Sequence, residues 1–121
     1  MEHMITWFEI PTDDLSRAAK FYSEIFDAQI EPTEFAGMKM AFFPADGTNV
    51  SGALIQEENI KPAANGPRIY LNGGEDLNNV LSKVESAGGK VIVEKTLISE
   101  ENGYFGVFMD TEGNSIALHS K

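Results

Sequence analysis

The sequence contains no cysteine among its 121 residues. Without thiols the chain cannot form a disulfide framework or a thiolate metal site. It also has no apolar run whose length approaches the roughly 20 residues that a membrane helix needs. Residues 1–4 are not a basic region that leads into an apolar stretch, so we expect no secretion signal. These absences predict a cytoplasmic protein that does not associate with membranes.

Basic residues are also few, with 9 against 19 acidic residues and a net charge of −10. Such a surface repels phosphate backbones, so we expect no nucleic-acid partner. The chain has no phosphate-binding loop, no dinucleotide glycine motif and no arrangement typical of a nucleophilic enzyme. Net charge otherwise indicates solubility rather than the chemistry of a site.

Two amphipathic segments in the chain repeat the same apolar spacing. The first follows Pro11-Thr12-Asp13 and the second begins near Glu75, and both match the i, i+3, i+4, i+7 stripe of a helix packed on a core. The stripes are Leu15, Ala18, Ala19, Tyr22, Ile25 and Phe26, then Leu77, Val80, Leu81, Val84 and Ala87. An offset of 62 residues aligns them and places Asp14 on Asp76. Self-similarity at a fixed offset predicts a duplicated unit.

Strand-like runs flank each predicted helix in the same order. They are Ile5–Ile10, Ala28–Glu31, Met38–Phe43 and Val50–Ile55, then Arg68–Asn72, Lys90–Lys95, Tyr104–Met109 and Ser115–His119. We therefore predict an α+β fold of two βαβββ modules that form a curved mixed sheet, a half-barrel cup with the helices outside. The single domain, 1–121, divides into module one (about 4–56), a linker (about 57–67) and module two (about 68–119). The concave face is the expected ligand site.

Two motifs in the chain resemble a known family. The run WFEIPTDDL at 7–15 continues with Arg17-Ala18, Phe21-Tyr22 and Ile25-Phe26, and the chain closes with FMDTEGNSIALH at 108–119. Together they resemble the start and the final hairpin of the vicinal oxygen chelate superfamily, which includes glyoxalases, bleomycin resistance proteins and extradiol dioxygenases. The resemblance implies paired βαβββ modules, a small-molecule or metal site in the cup, and frequent dimerisation.

The metal ligands that the resemblance implies are missing. Metal-dependent members carry a His or Glu on the first and last strands of each module. Counting back seven residues from the start of each helix gives Trp7 and Ile69, and the last strands give Ala117 and a position at or near Ala53. None of these side chains offers the imidazole or carboxylate donors that a divalent ion requires. We therefore expect no metal cofactor.

Two polar side chains lie two residues from these vacated positions. Glu9 follows Trp7 and His119 follows Ala117, so strand alternation places each on the same face as its neighbour. A Glu–His pair within reach supports acid–base chemistry. The structural alternatives are a carboxylate at a rim or subunit contact for Glu9, and an exposed strand end for His119.

The aromatic residues leave a similar choice open. Trp7, the sole tryptophan, either stacks on a flat ligand or fills the space of the absent metal. On the central strands, Phe42, Phe43, Tyr104 and Phe105 divide between core and cup, and the sequence does not decide which residues face which side.

Three functions compete. The first is a small-molecule-binding protein of the bleomycin-resistance type that sequesters or senses its ligand, with candidate positions Trp7, Glu9, Ala53, Ile69, Ala117 and His119. The alternative is a lyase or isomerase of the glyoxalase type that uses Glu9 and His119. An extradiol dioxygenase ranks last, because its iron needs two His and one carboxylate, and the chain has only His3 and His119.

Open sheet edges and the family resemblance together predict a homodimer, because exposed edge strands are normally covered. Sedimentation velocity at micromolar protein should give twice the 13.3 kDa chain mass. A species of single-chain mass at that concentration would contradict this prediction.

Overall fold

The computed structural model describes residues 3–121. Its elements follow the order strand, helix, three strands, twice over. They are β1 (Phe8–Pro11), α1 (Leu15–Phe26), β2 (Pro32–Phe35), β3 (Met38–Phe42), β4 (Gly52–Gln56), β5 (Tyr70–Asn72), α2 (Asn78–Leu81), β6 (Lys90–Ser99), β7 (Gly103–Met109) and β8 (Ser115–Ser120). Within this part of the chain, no helix has the length and apolar character needed to span a membrane.

The strands form two open four-stranded sheets with the same topology. Their orders are β1-β4-β3-β2 and β5-β8-β7-β6. The first strand of each module pairs in parallel with the last, and the remaining pairs are antiparallel. This arrangement confirms the α+β fold of two βαβββ modules. Neither sheet closes on itself, so one face of each lies opposite its helix.

The core lies between the sheets and the helices. The Asp14 carboxylate accepts from the Arg17 backbone N–H and caps α1, and the predicted stripe from Leu15 to Ile25 is buried. Tyr22 and Phe21 contact Phe108 of module two, with ring centroids 6.2 and 5.9 Å away. Module one's helix therefore packs against both sheets, which makes one shared core.

The second predicted helix is shorter than its apolar stripe. Regular α-helix covers Asn78–Leu81, and turns follow in which the Lys83 and Val84 N–H groups donate three residues back. Asn and Ser side chains compete for backbone hydrogen bonds, and this segment contains four of them, at 78, 79, 82 and 86. The apolar stripe is nevertheless buried, with Leu77 and Val84 both at 0% exposure. Packing therefore holds the segment where helix propensity is weak.

The first strand after α1 begins later than predicted. Asp27 ends the helix in the left-handed conformation at φ 50°, and the Ser23 hydroxyl bonds both the N–H and the C=O of Ile30. The predicted strand Ala28–Glu31 is wrong for this reason, because its backbone is tied back to the helix. Strand β2 starts only at Pro32.

The turn between β7 and β8 clamps module two onto the start of α1. Glu112 Oε1 accepts the backbone N–H groups of Asp13 and Asp14 at 2.9 and 2.8 Å. Arg17 donates to both carboxylate oxygens, at 2.8 and 2.9 Å, and the Thr111 hydroxyl donates at 2.8 Å. The Glu112 side chain is 0% exposed. A buried charge is tolerated here because the helix N-terminus and a guanidinium both compensate it.

Two more polar side chains of this turn reach module one. Asp110 accepts the hydroxyl of fully buried Tyr22 at 2.7 Å and the Asn114 amide at 3.0 Å. The same amide group donates to the Pro11 carbonyl at 2.8 Å. Burial, which is the larger effect, and the charge of Asp110 raise the pKa of Tyr22 well above its ordinary value. Tyr22 therefore remains a neutral donor across the working pH range.

Glu112→Gln should destabilise the protein at pH 7 by about 1–3 kcal/mol, since the Arg17 pair and the charge at the helix N-terminus are lost. Burial raises the pKa of Glu112, but hydrogen bonds from Arg17, the Asp14 backbone, Thr111 and the Asp13 backbone lower that pKa by more. A depressed pKa gives stability that is present above the unfolded-state pKa, about 4.3, and is lost as pH falls through the folded-state pKa.

Urea unfolding at several pH values measures this effect. The gap in unfolding free energy between wild type and Glu112→Gln should be constant above pH 6 and shrink as pH falls below about 4. Glu100→Gln is the control, because Glu100 is exposed in the turn between β6 and β7. A gap of the same size at pH 3 and pH 7, or an equal loss in the control, would contradict the clamp.

Candidate functional site

The candidate site lies on the sheet surface opposite the helices, which we call the open face. Phe43, directly after β3, and Leu54 on β4 belong to the core beneath α1. Met40, Ala53 and Ile55 form a separate buried cluster. Because alternate strand residues point to opposite sides, this cluster lies on the open face of module one. Its members are 4%, 0% and 2% exposed. It forms a closely packed apolar floor.

Three aromatic rings lie along the same face. Trp7 lies 6.1 Å from Phe42 between ring centroids, and Phe42 lies 6.2 Å from Phe35. The pairs are tilted at 58° and 86°, so the rings do not cover one another face to face. Their side chains are 43%, 38% and 61% exposed. The open face of module one thus joins a buried floor to accessible aromatic surface, the usual composition of a small-molecule site.

Glu9 is the carboxylate of this face. It pairs with Ala53 across the parallel β1–β4 ladder and is exposed. Its Oε2 accepts the Trp7 indole N–H at 3.3 Å. The bond places a negative charge at the edge of the indole. Among residues 3–121, the carboxylates that form ion pairs are Glu112 and Asp76, so Glu9 is not one of them.

The open face of module two has a different character. Ala117 is 0% exposed and pairs with Tyr70 and Val107. His119, two residues on, places Nε2 2.6 Å from the Asn102 carbonyl oxygen, so this nitrogen donates. A shallow cavity of about 530 Å³ is lined by Tyr70, Leu71, Asn72, Gly74, His119, Ser120 and Lys121.

Hydrogen bonds at the start of each helix align the two modules. The Leu15 N–H donates to the Gln56 side chain, and the Leu77 N–H donates to the Ser120 side chain. Because these two bonds are equivalent, Asp14 remains aligned with Asp76 when the modules are compared, and Gln56 is aligned with Ser120. One residue earlier in each last strand, the Ile55 carbonyl accepts from Thr12 and the His119 carbonyl accepts from Gly73. Thr12 therefore matches Gly73, and module two has one more residue between β5 and its helix.

Because of this extra residue, the prediction that Ile69 is the structural counterpart of Trp7 is wrong by one position. Since Glu9 pairs with Ala53 and Tyr70 pairs with Ala117, Glu9 matches Tyr70 and Ile69 matches Phe8. Ile69 packs against the main core, as Phe8 does. The structural counterpart of Trp7 is thus Arg68. Ile69 lies on the helix side of its sheet, and Tyr70 is the neighbouring open-face residue, at 52% exposure.

A cavity of about 280 Å³ lies between the modules beneath the linker. Glu9, Ile10, Ile69 and Ile116 line it, together with linker residues from Ile60 to Pro67. The linker is anchored by the Ala63 N–H, which donates to Asn114 Oδ1 at 3.1 Å. Glu9 borders this cavity, whereas His119 borders the shallow one of module two. The structure therefore gives the two predicted acid–base residues different partners and different cavities.

The ligand positions taken from the resemblance offer no donor that fits a divalent ion. At the ligand positions taken from the resemblance, the side chains are the indole of Trp7 and the methyl groups of Ala53 and Ala117. Across residues 3–121, no group of three or more His, Asp or Glu side chains is arranged to share an ion. Such an ion needs several oxygen or nitrogen donors in one place. No step of the site's chemistry can be derived through a metal here.

The structure also settles the four central-strand aromatics. Phe42 lies on the open face, whereas Phe43 packs with Phe8 and Tyr22 in the core. Tyr104 packs against the core, which puts its neighbour Phe105 on the open face. Sequence reasoning missed Phe35, Met40 and Ile55 as parts of the site. Ile55 could have been found, because it is two residues from Ala53 on the same strand.

Comparison with known proteins gives one family. The model of the "Glyoxalase/Bleomycin resistance protein/Dioxygenase superfamily" matches residues 4–118. A "Glyoxylase-like domain-containing protein" from Didymella fabae is 32% identical over 119 residues, which are 94% of this chain and 91% of that protein.

Solved structures share the fold at lower identity. A glyoxalase/bleomycin resistance protein from Albidiferax ferrireducens superposes with a TM-score of 0.74 at 15% identity, covering 98% of this chain and 99% of that one. An antibiotic binding protein from a Streptomyces species superposes with a TM-score of 0.68 at 19% identity, covering 99% and 96%.

Proposed function

The chain belongs to the glyoxalase/bleomycin resistance protein/dioxygenase superfamily, and we propose that within it this protein binds a small, partly apolar molecule on the open face of module one. Binding serves to sequester or to sense the ligand, with no metal at the site. Two copies of the chain form the working unit.

The observation that carries this proposal is the exposure of Trp7 and Phe42 above a closed apolar floor. Met40, Ala53 and Ile55 are already buried, so a ligand does not have to rearrange them. The two rings are 43% and 38% exposed, and covering them with a flat molecule removes apolar surface from water. Aromatic stacking adds to this gain. Trp7 therefore contacts the ligand and does not merely fill space.

Two further observations support binding as the activity. The solved antibiotic binding protein from Streptomyces has the same fold, which supports sequestration as a role compatible with this architecture. Glu9 bonds Trp7, and His119 bonds the Asn102 carbonyl. Because neither residue is positioned by the other, we assign no lyase or isomerase step to them.

Trp7→Ala should weaken ligand binding by about 1–3 kcal/mol, the scale for a buried aromatic contact. A collection of flat aromatic compounds, screened by thermal shift, supplies the ligand, and calorimetry measures its affinity for both proteins. Ile98→Ala is the control, since Ile98 is exposed on β6 of module two. If Trp7→Ala leaves affinity unchanged, the site lies elsewhere.

Metal removal should not change binding. Protein dialysed against a chelator should hold far less than one divalent ion per chain by elemental analysis, and its affinity for the same compound should equal that of untreated protein, because Trp7, Ala53 and Ala117 provide no donors. Stoichiometric nickel, zinc or iron that survives dialysis and disappears in His119→Ala would overturn the metal-free proposal.

A further inference from the structure

We propose that the ligand is an organic cation, an amine or quaternary ammonium carried on an apolar or aromatic group, held between the rings of Trp7, Phe42 and Phe35 and the carboxylate of Glu9. This inference rests on the proposed function and names the chemical class that the same face selects. It draws on ring geometry, on an unpaired carboxylate and on the placement of basic residues in the sheet.

The rings provide the first part of the argument. An aromatic face carries negative electrostatic potential, which attracts an ammonium group within about 6 Å of the ring centre. Phe42 is tilted against both neighbours, and its centroid lies 6.1 Å from that of Trp7 and 6.2 Å from that of Phe35. Three inclined rings that remain 38–61% exposed leave face area free for a ligand. Neutral aromatic stacking alone would not require a charge beside them.

Glu9 supplies that charge. Its carboxylate is bound to the indole N–H of Trp7 at 3.3 Å, so it lies at the edge of one of the three rings. In contrast to Asp76 and Glu112, which pair with Lys95 and Arg17, it has no basic partner within the part of the chain that the structure describes. Lys61 lines the same cavity as Glu9 but forms no ion pair with it. An ammonium ligand that contacts the ring faces would therefore meet a carboxylate that is not held in an ion pair.

The sheet itself keeps basic side chains off this face. Strands β1 to β4 contain a single Lys or Arg, which is Lys39. Lys39 lies between Met38 and Met40 and pairs with Glu34, so alternation directs it to the helix side, opposite to the buried Met40. The overall charge of −10 raises the local concentration of cations further. An anionic ligand would find no compensating charge on these strands.

The experiment uses three aromatic probes of different charge with the full-length protein. The probes are benzyltrimethylammonium, benzyl alcohol and benzenesulfonate. Their binding is measured by the fluorescence of Trp7, the sole tryptophan. We expect the cation to bind about tenfold more tightly than the neutral probe, and the anion to bind more weakly than either, as expected for an added cation–π and charge contact.

Glu9→Gln tests the carboxylate, because the amide oxygen still accepts the indole N–H. It should reduce cation affinity about tenfold and leave benzyl alcohol unchanged. Glu34→Gln is the matched control. It makes the same change in net charge on the same sheet, but on the helix side, and should leave all three affinities unchanged.

Each other outcome contradicts the proposal in a distinct way. Equal binding of the three probes, or equal losses in Glu9→Gln and Glu34→Gln, would overturn cation selection and leave the proposed small-molecule site standing. If no probe changes Trp7 fluorescence at millimolar concentration, both proposals fail. If Trp7 emission shifts to the blue and loses its accessibility to a neutral quencher as the dimer forms without any probe, a second copy covers the open face, and the cation site is excluded.

Discussion

The carboxylate of Glu112 is the contact on which the arrangement of the two modules depends. It comes from the final hairpin of module two and accepts the backbone N–H groups of Asp13 and Asp14, which directly precede α1 in module one. Helix N-termini leave several N–H groups without partners, and a buried one must be capped. Asp14 caps α1 from within module one, but the two N–H groups just before the helix are satisfied by a side chain about 100 residues away, so the start of α1 is fully paired only when module two is folded against it. Tyr22 and Asp110 repeat the link deeper in the core.

This clamp explains why the open face can remain apolar and accessible. Shared packing of Tyr22, Phe43 and Phe108 stabilises the helix side of both sheets. Trp7 and Phe42 are therefore not needed to close the main core. Side chains that the core does not need remain available to meet a ligand, which is the role we propose for these two.

The two modules use one topology for different surfaces. In module one, the open face carries aromatic rings over the floor of Met40, Ala53 and Ile55. In module two, the equivalent surface carries Tyr70 and His119 beside a shallow cavity. At the ligand positions taken from the family resemblance, Trp7, Ala53 and Ala117 carry no nitrogen or oxygen donor suited to a divalent ion.

The duplication, the buried stripes and the class of fold follow from the amino-acid sequence alone, because apolar periodicity indicates which side of a helix or strand faces a core. The sequence also showed that Trp7, Ala53 and Ala117 lack metal donors, since that depends on residue type alone. The register of β5 became visible only in the folded chain, where one additional residue before α2 places Ile69 in the core and Tyr70 on the open face. A shift of one residue reverses every side chain of a strand, and loop length conceals it from pattern analysis. The sides taken by Phe42 and Phe43 were likewise decided by packing against residues distant in the chain.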